Sequence, residues 1–487
     1  MSPTKSFLKF TKLPIFWAIM AALIYAAVTM YITIHLLHDS YNTNAFDLGI
    51  FTQELKYTLH GQILYSPAIG GSQFAPHFSP VLLLLVPVYW LFPHAQTLLV
   101  VQAFLLAFGG YLIYVLASEY NYSHRASLIL EGLYFINPLV WGVALFDFHE
   151  VAFAIPALLV MFLGLKRKNW FFFVTGLLFA LATKEDVVIA TGVFGFLLMI
   201  SDYWQHKKVE KTSVIIFCAA LLTYGTGVIV SRLASGGESA RLLSYFTNRY
   251  AYIGQPLSLA IPLAVSTIFS MSSLFLIGAY LSPFGFLPLL SPKWSIPALL
   301  ILLSGIFSTC ATQHSELMQY PAAAIPFLFM AFIIMLPGVI RNPQMPIYIK
   351  KYHKRVFTYS IIVIIILSLT VISDGRIRLA ALPDAHDDAI NQVIALVPNN
   401  ATVTTSNVIF PHLCSRTNTY LLAWEGEAVA PESGIINGDW GFPEKETEYV
   451  VIDDGNSPTM AANINIMLKR YTLIKNIDGV LLYQLNP

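Results

Sequence analysis

The chain has 487 residues, 56% of them apolar and only 11% charged, with a mean hydropathy of +0.65. That balance excludes an ordinary soluble enzyme and a disordered chain, and it points to a polytopic membrane protein. A formal net charge of +1 gives no basis for nucleic-acid binding, and the basic residues fall in short clusters between apolar runs, where membrane topology accounts for them.

Taken in order, the chain begins with Lys5, Lys9 and Lys12 ahead of an apolar run over 13–37. The run is too long for a signal peptide and lacks a small-x-small cleavage site, so it reads as a first span with a cytoplasmic N-terminus. The segment 78–92 is apolar but short and interrupted by Pro80 and Pro87, which reads as an in-plane or re-entrant helix. Further spans are expected over 95–117, 126–146, 151–165, 170–183, 187–203, 213–233, 257–281, 296–310, 320–340 and 356–373. Three basic clusters belong on the side of the N-terminus: Lys166-Arg167-Lys168, Lys207-Lys208 with Lys211, and Lys350-Lys351 with Lys354-Arg355.

After Ser373 polar residues take over. A capped helix is expected over 384–397, strands over 401–405 and 448–452, a helix over 460–470, and a hairpin over 471–486 turning at Asp478-Gly479. The expected fold is an all-α polytopic membrane domain over 1–375, with about eleven transmembrane helices and a first outer loop at 38–77, then a small extracytoplasmic α/β domain over 384–487. The protein is expected in the plasma membrane, with the N-terminus cytoplasmic and the C-terminal domain outside.

Acidic groups at span ends fall repeatedly on the outer side of this topology. Asp47, flanked by Phe46 and Leu48, follows the first span; it reads as a loop aspartate capping a short helix or as a reactive carboxylate. Asp147-Phe148-His149-Glu150 lies between two apolar runs, and ionisable groups at such depth are functional unless water satisfies them. Its Asp147 and Glu150 would share one face of a helix that continued through them. Lys184-Glu185-Asp186 reads as an internal ion pair or as a phosphate contact beside two positioning acids. His77 opens the in-plane helix, either packed in a loop or facing the same cavity, and His314 and Glu316 are weaker candidates. Arg241 and Arg249, amid aromatics, suit a lipid phosphate or a solvated amphipathic helix. Asp384-Ala385-His386-Asp387-Asp388 has the look of a metal cluster, but acids in a first helical turn offset the helix dipole. No P-loop, GxGxxG, HExxH or GxSxG stands in a supporting context, which argues against an ATPase, a dehydrogenase, a zinc protease or a serine hydrolase.

Four motifs occur in order: Phe46-Asp47-Leu48-Gly49, His77-Phe78-Ser79-Pro80, Asp147-Phe148-His149 and Lys184-Glu185-Asp186. As a set, over about residues 40 to 480, they resemble an uncharacterised domain-of-unknown-function family of prokaryotic membrane proteins. The broader resemblance is to the GT-C superfamily of integral-membrane glycosyltransferases, which take sugar from a polyprenyl-phosphate donor. That resemblance implies a catalytic base in the first outer loop, a position that Asp47 occupies. It also implies a polyprenyl-phosphate sugar donor and membrane lipid as partners, and an inverting single displacement. Asp147, His149, Glu150, Glu185, Asp186 and His77 would then shape the acceptor site or bind a divalent cation, while Lys184, Arg241 and Arg249 hold phosphate. Intramembrane acids and histidines also mark transport paths, so a transporter or flippase of a lipid-linked or small polar substrate is the competing expectation. A non-catalytic relative acting as an assembly subunit is the third.

Overall fold

The computed structural model describes residues 14–236, 249–315, 318–341, 355, 358–367, 382–416, 418–422, 447–453 and 470–487. The N-terminal lysines, Arg241, Glu316, Lys350, Lys351, Lys354 and all but the last residue of the helix expected over 460–470 lie outside these residues. The first helix, α1 (Pro14–Tyr31), runs on through a wider turn at Ile32–His38. The loop carrying Asp47 leads into α2 (Ile50–Leu59), then a small hairpin of β1 (Tyr65–Ser66) and β2 (Gly71–Ser72). The proline-interrupted segment folds as a 3-10 turn at Pro80–Leu85 followed by α3 (Val86–Leu91).

The helical body continues with α4 (Gln96–Glu119), α5 (His124–Phe135), α6 (Pro138–Leu145), α7 (Ala154–Arg167), α8 (Trp170–Leu181), α9 (Glu185–His206) and α10 (Lys211–Ala234). It ends with α11 (Leu257–Ile268), α12 (Met271–Leu281), α13 (Pro292–Ile306), α14 (Ile325–Arg341) and α15 (Thr358–Leu367). Among the described residues four helices are long and apolar enough to cross a membrane singly, or up to six if each of two bent pairs is one span. The remaining apolar helices are 10–17 residues long, mostly shorter than a straight crossing needs.

Two spans expected to be continuous are broken. The run over 126–146 bends by 48° between α5 and α6. Pro138 has no N–H to give the preceding turn, and the Asn137 side chain accepts from Leu139 N at 3.0 Å, starting a new helix instead. The run over 257–281 bends by 45° between α11 and α12, where the Ser270 hydroxyl accepts from Ser273 N at 3.1 Å. The α7–α8 hairpin is drawn together by small residues. A Cβ on Gly164 would strike the Phe173 backbone, and one on Gly176 would strike Met161, so both helices approach to backbone contact.

The C-terminal region forms a five-stranded mixed sheet in the order β4-β3-β5-β7-β6. Its strands are β3 (Val403–Thr405), β4 (Thr419–Leu421), β5 (Tyr449–Asp453), β6 (Tyr471–Ile477) and β7 (Val480–Leu485). β3 runs parallel to both β4 and β5, while β7 is antiparallel to β5 and β6. The β6–β7 hairpin turns at Asp478 and Gly479, both at positive φ, 51° and 81°. Two helices join it, α16 (Ala385–Ile394) and α17 (Phe410–Leu413). Neither β4 nor α17 has a signal in the sequence strong enough to be expected.

Two apolar clusters tie this region to the first loop. Tyr41 packs with Ile390, Val393, Val403, Leu413, Val451 and Leu482. Leu48, Phe51 and Leu55 pack with Leu82, Phe148 and Phe153, and with Phe410 and Cys414 from α17. Burying such side chains stabilises the arrangement by about 1.5–3 kcal/mol each.

Candidate active site

The site is assembled where the ends of α1, α6 and α8 meet the start of α9. Asp47 lies in the short wide turn between α1 and α2. Its backbone, at φ 78° and ψ −90°, lies near the γ-turn minimum, which is strained for a residue with a Cβ. Helix α2 begins just beyond, and the Ile50 N–H donates to the carbonyls of Ala45 and Asp47.

Between α6 and the 3-10 turn at Glu150–Phe153, residues 147–149 belong to no helix, and His149 is extended. Asp147 and Glu150 therefore do not share a helix face as expected, because the helix ends at Leu145 before reaching them. The two acids part company. Asp147 Oδ2 accepts from the Asn44 backbone N–H at 3.0 Å and from Asn44 Nδ2 at 3.1 Å, so it anchors the Asp47 loop. Glu150 turns inward beside His149, Oε2 to Nδ1 at 2.8 Å, while its Oε1 accepts from the Ser79 hydroxyl at 3.1 Å.

His149 is the hub. Its Nε2 lies 3.8 Å from Asp47 Oδ1 and accepts from Lys184 Nζ at 3.4 Å, and Lys184 stands 3.6 Å from Glu150 Oε1. The acid that Lys184 meets is thus Glu150 as well as any neighbour in its own triplet. Burial pushes His149 down to about 4, assisted by Lys184 and His77 against the pull of Glu150. Burial opposes charge on Glu150 too, but the facing His149 and Lys184 hold its carboxyl below the usual range. A neutral imidazole is therefore flanked by an ionised carboxylate and an ammonium.

A second pair adjoins the first, with His77 Nδ1 2.7 Å from Glu185 Oε1. Asp186 Oδ1 accepts from Val187 N at 2.8 Å at the start of α9. Exposure separates the roles. The Asp47 and Glu185 side chains are 26% and 34% exposed, whereas Glu150 is fully enclosed and His149 is 5% exposed. Asp47 and Glu185 are thus more open to solvent than Glu150. Arg249 contacts residues that follow α13: its carbonyl accepts from Thr309 N at 2.7 Å and its guanidinium lies 5.8 Å from the Tyr320 ring centre. His314 binds locally, Nε2 to the Ser308 carbonyl at 2.5 Å. Among the described residues no group of three or more His, Cys, Asp or Glu side chains could hold a metal ion.

Three contributors were not singled out in the sequence. Gln102 is a lone amide in the apolar helix α4, and that isolation is a signal in itself. Its Oε1 accepts from His149 N at 3.0 Å, and its Nε2 donates to the carbonyls of Val143 and Phe146 at 3.1 and 3.2 Å, fixing the hub's backbone. Glu54 in α2 is fully buried, and neither carboxyl oxygen has a hydrogen-bond partner among the described residues. Burial, then the Glu150 and Asp47 carboxylates, raise it well above the ordinary range, which disfavours its charged form. The third is Asn407, which follows β3 and bonds to the Asp47 loop.

The fold has a counterpart of known structure. The fold is similar to that of ArnT from Cupriavidus metallidurans in the apo state, a GT-C glycosyltransferase, with a TM-score of 0.54 and 13% identity over 95% of this chain and 97% of that one. Comparison with curated proteins finds no match. The class is therefore that of integral-membrane proteins with a GT-C-like fold. Residues 37–482 match the family described as predicted membrane protein (DUF2079), and the chain belongs to that family.

Proposed function

We propose that the protein transfers a sugar from a polyprenyl-phosphate-linked donor to an acceptor at the extracytoplasmic face, with Asp47 as the base. The observation that carries this reading is the partly exposed Asp47 carboxylate, on a strained turn and 3.8 Å from a buried His149. In the reaction the acceptor hydroxyl oxygen bonds to the anomeric carbon as its proton passes to Asp47. The bond from that carbon to the phosphate oxygen breaks, its electron pair leaving with the lipid phosphate, and a single displacement inverts the anomeric centre. No nucleotide site is needed.

The remaining groups have supporting parts. Neutral His149 takes a hydrogen bond from Lys184 and leaves Asp47 as the basic group that meets substrate. Lys184 balances Glu150 and supplies positive potential where the phosphate departs. The open Glu185, held by His77, lines the acceptor side. Arg249 and Arg241 are the candidates for direct phosphate contact.

The test uses full-length protein in liposomes and a panel of radiolabelled undecaprenyl-phosphate-linked hexoses and pentoses. Transfer by the wild type that drops at least about 100-fold in Asp47→Asn supports the reading. Full activity in that variant removes Asp47 from the role. Movement of intact labelled lipid between leaflets, with no sugar transferred, would replace catalysis with transport.

A further inference from the structure

The strained turn at Asp47 is not built from residues that favour it. Neither glycine nor asparagine stands at position 47, and a backbone in this region costs about 1–3 kcal/mol unless its surroundings over-determine it. The surroundings come largely from the other end of the chain. Asn407 approaches the loop just before Asp47: its Oδ1 accepts from Ala45 N at 2.9 Å, its carbonyl accepts from the same N–H at 3.1 Å, and its Nδ2 donates to Asn44 Oδ1 at 3.0 Å. On the opposite side of Asn44 stands Asp147, taking both the backbone and the side-chain N–H groups. Two residues after Asp47, the Phe410 ring lies against Gly49 so closely that a Cβ there would come within 2.5 Å of it. Further along α2, Gln53 Nε2 donates to the Thr419 carbonyl at 2.7 Å and Lys56 Nζ to the Ser415 carbonyl at 2.7 Å.

We propose that Asn407 is a positioning residue for the transfer reaction: its amide clamps Asn44 and Ala45 so that the following turn presents the Asp47 carboxylate toward His149 and the acceptor. The proposal rests on the reading of Asp47 as base. One amide serves both polarities, its Oδ1 accepting from the Ala45 backbone while its Nδ2 donates to Asn44. Asn44 in turn carries the restraint across to Asp147, so the loop is gripped between the C-terminal region and the end of α6. Without the grip, residues 44–46 lose the restraint that fixes the direction of the turn, and a base displaced by about 1 Å loses on the order of 100-fold in rate.

The experiment compares wild type, Asn407→Ala, Asn407→Asp and Asp47→Asn as full-length protein in liposomes. It reads kcat and KM for the labelled undecaprenyl-phosphate sugar, binding of undecaprenyl phosphate, and thermal stability. Asn407→Ala is expected to lower kcat about 10- to 100-fold, with KM and undecaprenyl phosphate binding within about twofold of wild type. Asn407→Asp, which keeps the acceptor for Ala45 but loses the donor to Asn44, falls between. A readout independent of turnover is maleimide labelling of Asp47→Cys, located by peptide mass spectrometry, whose rate shifts several-fold when Asn407→Ala is added. Wild-type kcat in Asn407→Ala, or an unchanged labelling rate, overturns the proposal; so does a parallel loss of kcat, lipid binding and thermal stability in both Asn407 variants, which marks a purely structural role. Full activity in Asp47→Asn instead strikes the functional reading itself, whereas an inactive Asp47→Asn beside a fully active Asn407→Ala strikes only the clamp.

Discussion

Two regions of this chain gather acids beside a histidine, and they are put to different use. At 384–388 the oxygens are consumed by the local backbone. Asp384 accepts from His386 N and Asp387 N at 2.8 and 3.2 Å, Asp387 accepts from Asp384 N at 2.9 Å, and His386 is held between Asp453 and Asp478. This is a helix start with its orphan donors satisfied. Around Asp47 the acids come from four separate stretches, one sits on a strained turn, one is enclosed against His149 and Lys184, and one, Glu54, is buried without a hydrogen-bond partner among the described residues. The number of carboxylates does not distinguish the two regions. The strained turn at Asp47 and the enclosure of Glu150 against His149 and Lys184 do.

The sharpest way to break that contrast is to neutralise one acid in each region. Asp47→Asn is expected to reduce sugar transfer by at least about 100-fold, equivalent to about 2.7 kcal/mol of transition-state stabilisation, with the thermal midpoint unchanged. Asp384→Ala should do the reverse, lowering stability by about 1 kcal/mol in denaturant or thermal melts while leaving transfer rates alone. If Asp384→Ala cost activity and spared stability, the capping account of that cluster would be wrong.

Smaller effects sharpen the picture at the buried groups. Glu54 gives up its proton less readily in the fold than in the unfolded chain, so its contribution to stability is complete below the ordinary value of about 4.5 and is lost progressively as pH rises from there toward the raised value. Glu54→Gln should therefore match wild type in melts below about 4.5 and lose less stability than wild type as pH rises above it; an equal loss in both proteins would place the sensitivity elsewhere. His149 runs the other way. Its folded value of about 4 lies below the ordinary 6.5, so the unfolded chain takes up a proton that the fold refuses. Stability from this group is complete above about 6.5 and declines as pH falls toward 4. A His149→Gln variant should flatten that decline in melts recorded across the same range, and an undiminished slope would count against a buried neutral imidazole.

Much of this arrangement was readable from the chain. The apolar runs and their polar ends announced a membrane protein, and the FDLG, HFSP, DFH and KED segments supplied Asp47, Ser79, His149 and Lys184, which the fold brings into one network. The break at Asn137-Pro138 was written in the residues but was outweighed by a hydropathy window that sums over it. What could not be read was direction and distance. The non-helical backbone at 147–149 turned Asp147 toward Asn44 and Glu150 inward, although periodicity alone set them on one face. Asn407 and Phe410 carry no local mark of their purpose, since their partners stand more than 300 positions away.

That separation has a bearing on how the protein is made. Ala45 and the side chain that holds it are 362 residues apart, so the ribosome delivers the turn to the membrane long before its restraint exists. Through most of translation Asp47 is an ordinary loop carboxylate, and it gains its fixed bearing only once residues near 407 have emerged and docked. The bearing of this carboxylate is therefore a late acquisition of the folding chain.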